Sequence, residues 1–148
     1  MFLSLVISIL LIGIDQITKW FLYGKEAVSI LGDILWFKST LNTGVAFGMF
    51  SDSTLLFIVI SSLATVIFIY LIFSKKFLTS KMEKICLGII MAGTVSNLID
   101  RIFLGGVRDF IYLKFINFPI FNVADMCITI GMVLLCIVII FKKPKKEA

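Results

Sequence analysis

Four long apolar stretches dominate the pattern of hydrophobic and polar residues along the chain, and short polar or mixed segments separate them. The apolar core of a bilayer is about 30 Å thick, so a helix needs about 20 mainly apolar residues to cross it. Each stretch is about that long. The pattern therefore predicts four transmembrane helices, over residues 1–22, 54–73, 85–103 and 121–141.

The composition supports the same class of protein. Of the 148 residues, 60% are hydrophobic and 16% are charged, whereas soluble domains are usually about 45–50% apolar and about 25% charged. We expect an integral membrane protein that forms one domain over residues 1–148. The first apolar stretch has no Lys or Arg before it and no small-residue cleavage motif after it, so we expect a retained helix rather than a cleaved signal peptide.

Positive charge predicts the orientation in the membrane. Four lysines lie in residues 74–84 and four more follow residue 141, each group against a single glutamate, while residues 23–53 are nearly balanced. Cytoplasmic loops carry the excess of Lys and Arg in membrane proteins. We therefore expect both termini to be cytoplasmic and residues 23–53 and 104–120 to face outward. The formal charge of +5 then reflects topology, and no nucleic-acid partner is expected.

The two outward segments have the composition of short strands. Residues 24–50 combine glycines with large apolar side chains, and residues 107–118 are rich in residues that favour strands. We expect both segments to form extended structure on or in the outer membrane surface.

Charged residues inside apolar segments are costly and are candidates for function. With the predicted orientation, the charged residues within the four spans lie at the outer ends of their helices, and Asp109 can reach the same level. We expect one layer near the outer face to hold every buried charge. Asp15 and Lys19 share a helix face at spacing i, i+4. Asn97, Asp100 and Arg101 share another face, and Asn122 and Asp125 are three residues apart on a third.

Part of this layer can be purely structural. In that interpretation, Asp15 pairs with Lys19 and Asp100 pairs with Arg101, and the pairs clamp the helices together. Asp125 has no base within a helical turn, and the neighbouring Arg108 points away from Asp109 if the segment is extended. These two acids are therefore harder to explain by structure alone.

Histidine is absent, which excludes His-ligated zinc sites and Ser–His or Cys–His dyads. The three cysteines lie in apolar stretches without a C-x-x-C spacing, as small buried side chains do. Two carboxylates that approach closely share one proton, and such a pair can activate water without histidine or metal. Spacing alone leaves a membrane-embedded aspartyl hydrolase and a proton-coupled carrier open. A carrier usually shows repeats or broken helices at the midplane, and the sequence has no detectable repeat.

Five motifs occur in one order along the chain. They begin at Asp15 (D-Q-I-T-K), Asn42 (N-T-G-V-A-F), Gly93 (G-x-x-x-N-x-x-D-R), Val107 (V-R-D-F) and Phe121 (F-N-V-A-D). Together they resemble the motifs of bacterial lipoprotein signal peptidases, the type II signal peptidases, over nearly the whole chain. Arg108 departs from that pattern, because an apolar residue is expected immediately before Asp109.

The resemblance implies that Asp109 and Asp125 are the catalytic dyad. It also implies a set of residues that line or brace the site: Asp15, Lys19, Asn42, Gly44, Ala46, Gly93, Asn97, Asp100, Arg101, Asn122 and Ala124. The implied fold is an all-α membrane protein, a four-helix bundle with a small extracytoplasmic β-structured cradle from residues 24–50.

The resemblance implies an aspartic endopeptidase of the bacterial cytoplasmic membrane, with its active site near the outer face. Its substrate would be a prolipoprotein with a diacylglyceryl cysteine, cut on the N-terminal side of that cysteine, with the acyl chains held among membrane lipid. No cofactor or metal is implied, and we expect a monomer.

Overall fold

The computed structural model describes residues 1–44, 53–74, 76–78, 80–116 and 118–142. Their helices and strands, in chain order, are α1 (Phe2–Leu22), β1 (Val28–Leu31), β2 (Leu35–Asn42), α2 (Thr54–Phe73), α3 (Lys81–Leu104), β3 (Val107–Leu113) and α4 (Val123–Ile140). All four helices are long and apolar enough to cross a membrane. The predicted fold class, a four-helix membrane bundle with a small sheet, is confirmed.

Side-chain caps determine where α3 and α4 begin. Ser80 Oγ accepts the Glu83 N–H at 3.1 Å, and the Glu83 carboxylate accepts the Ser80 N–H at 2.9 Å. This reciprocal capping satisfies backbone donors at the helix start, so α3 begins at Lys81, four residues before the predicted span. Asn122 and Asp125 cap α4 in the same way, and that helix begins at Val123.

The expectation that a single layer holds every buried charge is wrong. Glu83 is 2% exposed and lies at the opposite end of α3 from Asp100. Its burial follows from the early start of α3, which makes Glu83 part of the helix cap. Lys142, just beyond α4, compensates the charge with an ion pair of 2.5 Å to Glu83.

Helix α3 is the centre of the bundle, since α1, α2 and α4 all pack against it. Small residues allow close approach: a Cβ on Gly88 would lie 2.8 Å from the Ser4 carbonyl oxygen, and Ser8 Oγ donates to the Gly88 carbonyl at 2.7 Å. Helix α2 has a mean hydropathy of 2.8 over an 18-residue window, and Ile72 is its one residue buried in the protein. Such a helix presents most of its apolar surface outward, as a lipid-facing span does.

The three strands form one antiparallel sheet in the order β1-β2-β3. Thr40 is opposite Asp109 and Asn42 is opposite Val107, with an irregularity in register between Phe37 and Thr40. Extended structure in both segments predicted to face outward is thereby confirmed. Residues 45–52 of the first segment, Ala46 among them, lie outside the described residues.

The sheet lies at the end of the bundle where α3 ends and α2 and α4 begin. Gly105 has φ of 71°, a left-handed conformation that ends α3 and lets β3 start two residues later. Its carbonyl accepts the Thr54 hydroxyl at 2.8 Å, which ties the start of α2 to the same turn. Phe121 forms a bridge with Ile111, so the segment before α4 runs beside β3.

Candidate active site

Asp109 and Asp125 come together from different kinds of element. Asp109 is the third residue of β3 and is 3% exposed. Asp125 is the third residue of α4 and is partly buried. Because Phe121 pairs with Ile111 on β3, the start of α4 is placed next to the strand that carries Asp109.

Asn122 contacts both carboxylates. Its Nδ2 donates to Asp109 Oδ1 at 2.6 Å, and its backbone N–H donates to Asp125 Oδ2 at 3.1 Å. The Asp125 N–H donates to Asn122 Oδ1 at 2.9 Å, which fixes the orientation of the amide group. The residue that caps α4 therefore also sets the relative position of the two acids.

Asn42 holds the other oxygen of Asp109. Its Nδ2 donates to Asp109 Oδ2 at 3.0 Å, while its Oδ1 accepts the Gly44 N–H at 3.0 Å. Since Gly44 occupies the amide oxygen, the amide nitrogen is left to face the carboxylate. Gly44 thus acts through its backbone, by orienting Asn42.

The pKa of Asp109 is raised to about 7, first by burial and then by the charge of Asp125. Hydrogen bonds from Asn42 and Asn122 and the positive charge of Lys19 lower that pKa without cancelling the rise. Burial removes water that would stabilise the charged form, and a second carboxylate repels it. Asp109 can therefore hold a proton near neutral pH.

Asn97 connects Asp125 to a buried lysine. Its Nδ2 donates to Asp125 Oδ1 at 2.8 Å, and its Oδ1 accepts from Lys19 Nζ at 2.8 Å. Lys19 is 0% exposed, so its charge acts at short range without competing water. The two oxygens of Asp125 thus receive hydrogen bonds from Asn97 and from the Asn122 backbone.

Asp15 and Lys19 form the predicted i, i+4 ion pair, at 2.7 Å. The same carboxylate accepts the Ser96 hydroxyl at 2.6 Å and the Ala124 N–H at 2.8 Å. Ala124 is the second residue of α4, so Asp15 satisfies a free backbone donor of that helix. Asp15 therefore joins α1, α3 and the start of α4 behind the two acids.

Gly93 allows α3 and α4 to meet at this level. A Cβ on Gly93 would lie 2.2 Å from the Ala124 carbonyl oxygen and 2.8 Å from Ile128 Cγ1. Real Cβ atoms do not approach backbone this closely, so any side chain here would push α4 away. The spacing between Asn97 and Asp125 depends on that contact.

The expected pairing of Asp100 with Arg101 is wrong. Asp100 is instead paired with Arg108, at 2.6 Å, and with Lys19, at 3.4 Å. These bases can reach it because β3 and α1 both pack against α3, whereas Arg101 projects from the helix in another direction. Arg108 does point away from Asp109, as extended structure predicted.

Arg101 turns toward the two acids. Its guanidinium lies 5.2 Å from the ring centre of Phe57 on α2. In the described part of the chain, no carboxylate oxygen lies within 4.0 Å of it. The charges of Asp125, Asp109 and Asp100 act on it.

A cavity of about 570 Å³ opens beside the two acids. Its polar wall is formed by Asn42, Gly44, Asn97, Arg101, Asp109 and Asp125. Its apolar wall includes Leu113, Phe118, Phe121, Met126 and Ile130. A mainly apolar cleft with a few converging polar groups is typical of a ligand site.

The residues predicted from the sequence therefore divide into two sets. Six line the cavity, and another six lie behind it and support it, namely Asp15, Lys19, Gly93, Asp100, Asn122 and Ala124. Ala46 lies outside the described residues.

Sequence reasoning did not include Gln16 and Ser96, which belong to the supporting set. Gln16 Nε2 donates to Ser96 Oγ at 2.9 Å and to Asp100 Oδ1 at 3.0 Å. Both residues are polar positions within apolar spans, next to Asp15 and Asn97. That adjacency was the available signal.

Comparison with known sequences gives consistent matches. The sequence model of a family described as signal peptidase (SPase) II matches residues 7–141. A lipoprotein signal peptidase of Symbiobacterium thermophilum is 34% identical over 152 residues, with 99% of each chain covered. One from Shouchella clausii is 34% identical over 134 residues and covers 88% of this chain and 87% of its own.

Two solved structures share the fold. One, described as a bacterial membrane enzyme determined by the in meso method at 2.3 Å resolution, has a TM-score of 0.87 and 28% identity. The match covers 100% of this chain and 95% of that one. A second bacterial membrane enzyme, at 1.9 Å, has a TM-score of 0.84 and 28% identity over 97% of this chain and 96% of its own.

Proposed function

Because the chain belongs to the signal peptidase II family, we propose that it removes signal peptides from diacylglyceryl-modified prolipoproteins with Asp109 and Asp125 as its catalytic dyad. Family membership makes the chain a multi-pass membrane peptidase that acts on prolipoproteins. The aspartic mechanism, the cleavage position and the roles of individual residues are the proposal.

One observation carries the mechanism: Asn122 contacts both acids at the wall of a single cavity. The charge of Asp125 raises the pKa of Asp109, so ionisation of both carboxylates at neutral pH is disfavoured and the pair shares a proton. With a pKa of about 7, Asp109 is the member that holds this proton. Asp125 is then the ionised member and accepts a proton from water.

The reaction follows from these two states. Asp125 takes a proton from a water molecule whose oxygen bonds to the carbonyl carbon of the scissile peptide, and Asp109 gives its proton to the carbonyl oxygen. The tetrahedral diol then collapses. One diol hydroxyl returns a proton to Asp109, the C–N bond breaks, and the leaving nitrogen takes the proton from Asp125. The products are a carboxylic acid on the signal peptide, which then loses its proton to water, and a free amine on the lipidated cysteine.

Arg101 and the amide side chains supply positioning and charge. With one proton shared, the dyad carries one negative charge, and Arg101 is the cation of the cavity wall that balances it. Asn42 and Asn97 hold one oxygen of each acid without adding charge. The apolar wall suits a substrate whose side chains and acyl groups are apolar.

The position of the site fits a substrate that lies in the membrane. The acids lie at the sheet end of the bundle, opposite the end where Glu83 and Lys142 pair. Lys81, Lys84 and Lys142, the described lysines nearest to Glu83, lie at that end, and the positive-inside rule predicts that it is cytoplasmic. We propose that the sheet and the cavity face the outer side, where the lipidated cysteine of a membrane-anchored precursor would lie.

The test is a cleavage assay in detergent, with a chelator present throughout. Wild type, Asp109→Asn and Asp125→Asn are compared on a prolipoprotein with and without its diacylglyceryl group. Asp33→Asn is the matched control, because Asp33 is a carboxylate whose side chain is 85% exposed and pairs with Lys114 at the sheet surface. Thermal unfolding of each variant shows whether it is folded.

We expect cleavage to require the lipid, to survive chelation and to disappear in both dyad variants while the control stays active. Full activity in either folded dyad variant would refute the dyad. No cleavage by folded wild type would favour the proton-coupled carrier instead, which proton flux in liposomes would then detect.

A further inference from the structure

We infer that Arg108 is a positioning residue for the candidate site. It anchors the strand next to Asp109 and neutralises Asp100, and this leaves Arg101 turned toward the cavity. The inference rests on the proposed function, since it concerns how the dyad is held. Arg108 is also the residue at which the sequence departs from the family's pattern.

Arg108 holds Asp100 through three hydrogen bonds. Its backbone N–H donates to Asp100 Oδ2 at 2.9 Å, its Nε donates to the same oxygen at 3.2 Å, and its Nη2 donates to Oδ1 at 2.6 Å. Nη2 also donates to Gln16 Oε1 at 2.7 Å. The guanidinium fork thus ties β3 to both α3 and α1, with a two-oxygen grip that a lysine ammonium cannot reproduce.

Strand geometry transmits this anchoring to Asp109. Successive side chains of a strand point to opposite faces, so Arg108 reaches toward α3 and α1 while Asp109 faces the cavity. The Arg108 carbonyl also accepts from Asn122 Nδ2 at 3.4 Å, the same nitrogen that contacts Asp109. The backbone on the N-terminal side of Asp109 is therefore held at three points of the bundle.

Charge balance explains why Arg101 is free to face the cavity. Asp15, Lys19, Asp100 and Arg108 form two acids and two bases in mutual contact, with a net charge of zero. Asp100 consequently needs no charge from Arg101, its neighbour in sequence. Arg101 remains as the counter-charge for the dyad.

Loss of the charge at position 108 would weaken the anchoring of the strand next to Asp109 and also disturb the charge balance of the cluster. The remaining cluster would carry one negative charge, with Lys19 the single base between Asp15 and Asp100. Lys19 and Arg101 would then be drawn toward Asp100 and away from the dyad. The dyad would lose positive charge, and the strand next to Asp109 would lose the guanidinium contacts to Asp100 and Gln16, with only the backbone hydrogen bonds of residue 108 left to hold it.

The experiment compares Arg108→Leu, Arg108→Lys and the double variant Arg108→Leu/Asp100→Asn with wild type. The double variant removes one acid and one base, so it restores a neutral cluster. Lys114→Gln is the matched control, because it removes a base from just beyond the same strand, and that base pairs with exposed Asp33. The measurements are kcat, KM, the pH profile of kcat and the unfolding temperature of each purified protein.

We expect Arg108→Leu to lower kcat by about 10- to 100-fold, because a misplacement near 1 Å costs that much, with KM changed less than about twofold. The double variant should recover at least about tenfold of that loss, since the two substitutions are coupled. Arg108→Lys keeps the charge and should fall between wild type and Arg108→Leu. Lys114→Gln should match wild type.

The pH profile separates charge from packing. Charged groups act on Asp109 from Asp125 on α4 and Lys19 on α1, and Arg101 on α3 feels the charge of Asp109. Asn42 on β2 and Asn122 at the start of α4 donate to it. One more negative charge in the cluster behind them disfavours ionisation of the dyad, so the profile of Arg108→Leu should move to higher pH. Arg108→Lys and the double variant should keep the wild-type position.

Wild-type kcat in Arg108→Leu would overturn the inference. So would a double variant that is slower than Arg108→Leu with an unmoved pH profile, because Arg108 would then serve packing alone. If Arg108→Leu does not fold, the double variant decides, and its failure to fold would also count against the inference. Activity in Asp109→Asn would instead refute the proposed function, which keeps the two outcomes separate.

Discussion

Asn122 Nδ2 lies 2.6 Å from Asp109 Oδ1, although one residue caps a helix and the other lies within a strand. The amide side chain that caps the start of α4 therefore also supports a buried acid. The stability of the helix and the relative position of the two acids are therefore coupled through one side chain.

Substitutions of Asn122 can separate the stability of the helix from the positioning of Asp109. Serine is as good an N-cap as asparagine, but its short side chain does not reach Asp109. We expect Asn122→Ser to unfold at nearly the wild-type temperature while cleavage slows by about 100-fold, because Asp109 loses a donor that positions it. Asn122→Ala should show the same slowing and also lose about 1 kcal/mol of stability with the cap. Wild-type cleavage by folded Asn122→Ser would show that this contact has no part in turnover.

The pH dependence of cleavage follows from the pKa of Asp109. The proposed mechanism needs one shared proton, and that proton is lost as pH rises through the pKa of Asp109, about 7. We therefore expect kcat to fall on the alkaline side with half-loss near pH 7. A rate that stays constant up to pH 9 would contradict this.

Asn42→Ala tests whether ionisation of Asp109 causes the alkaline limb of the pH profile, the fall in kcat at high pH. The Asn42 hydrogen bond lowers the pKa of Asp109, so its removal should shift the alkaline limb to higher pH as well as slowing the reaction. Ser39→Ala on the same strand is the control, because the Ser39 hydroxyl accepts from the Gly24 N–H and does not contact Asp109. A limb that moves to lower pH in Asn42→Ala would mean that another group titrates.

Asp100→Asn should lower stability at least as strongly as it lowers turnover. Asp100 is 1% exposed and forms ion pairs with both Lys19 and Arg108, so the amide leaves buried Lys19 and partly buried Arg108 with Asp15 as the remaining acid of the cluster. Breaking a buried pair from one side costs about 3–5 kcal/mol. Thermal unfolding in detergent measures the loss, and Asp33→Asn, at an exposed pair, should cost about 0–1 kcal/mol. An inactive but fully stable Asp100→Asn would place Asp100 in the chemistry instead.

Two glycine substitutions test the contact between α3 and α4. A Cβ on Gly93 would lie 2.2 Å from the Ala124 carbonyl oxygen, so Gly93→Ala must displace α4 and separate Asn97 from Asp125. We expect overpacking to cost about 1–3 kcal/mol, with a parallel loss of activity. Gly13→Ala in α1 is the matched control, since nothing lies within 4 Å of the added Cβ and alanine favours a helix by about 1 kcal/mol. Equal behaviour of the two variants would show that the close contact is not required.

Much of the fold is predictable because the bilayer restricts what an apolar segment can do. The uncharged run over residues 54–73 coincides with α2, and Asp15 and Lys19 form the ion pair that their spacing predicts. The helix starts are less predictable. Three of the four residues at 81–84 are charged, which is typical of a loop, yet Ser80 and Glu83 cap each other and extend α3 into this segment.

In the candidate site, too, some features are predictable from the sequence and others are not. The sequence by itself determined four spans, the extended segments and a set of polar residues at corresponding ends of the helices. These polar residues stand out because a charge in an apolar span requires a partner or a function. Only the tertiary structure decided which partner each charge has. Asp100 pairs with Arg108 and Lys19 instead of adjacent Arg101, and Glu83 is buried against Lys142. Pairing depends on the packing of helices and strands and on side-chain direction, which distance along the chain does not encode.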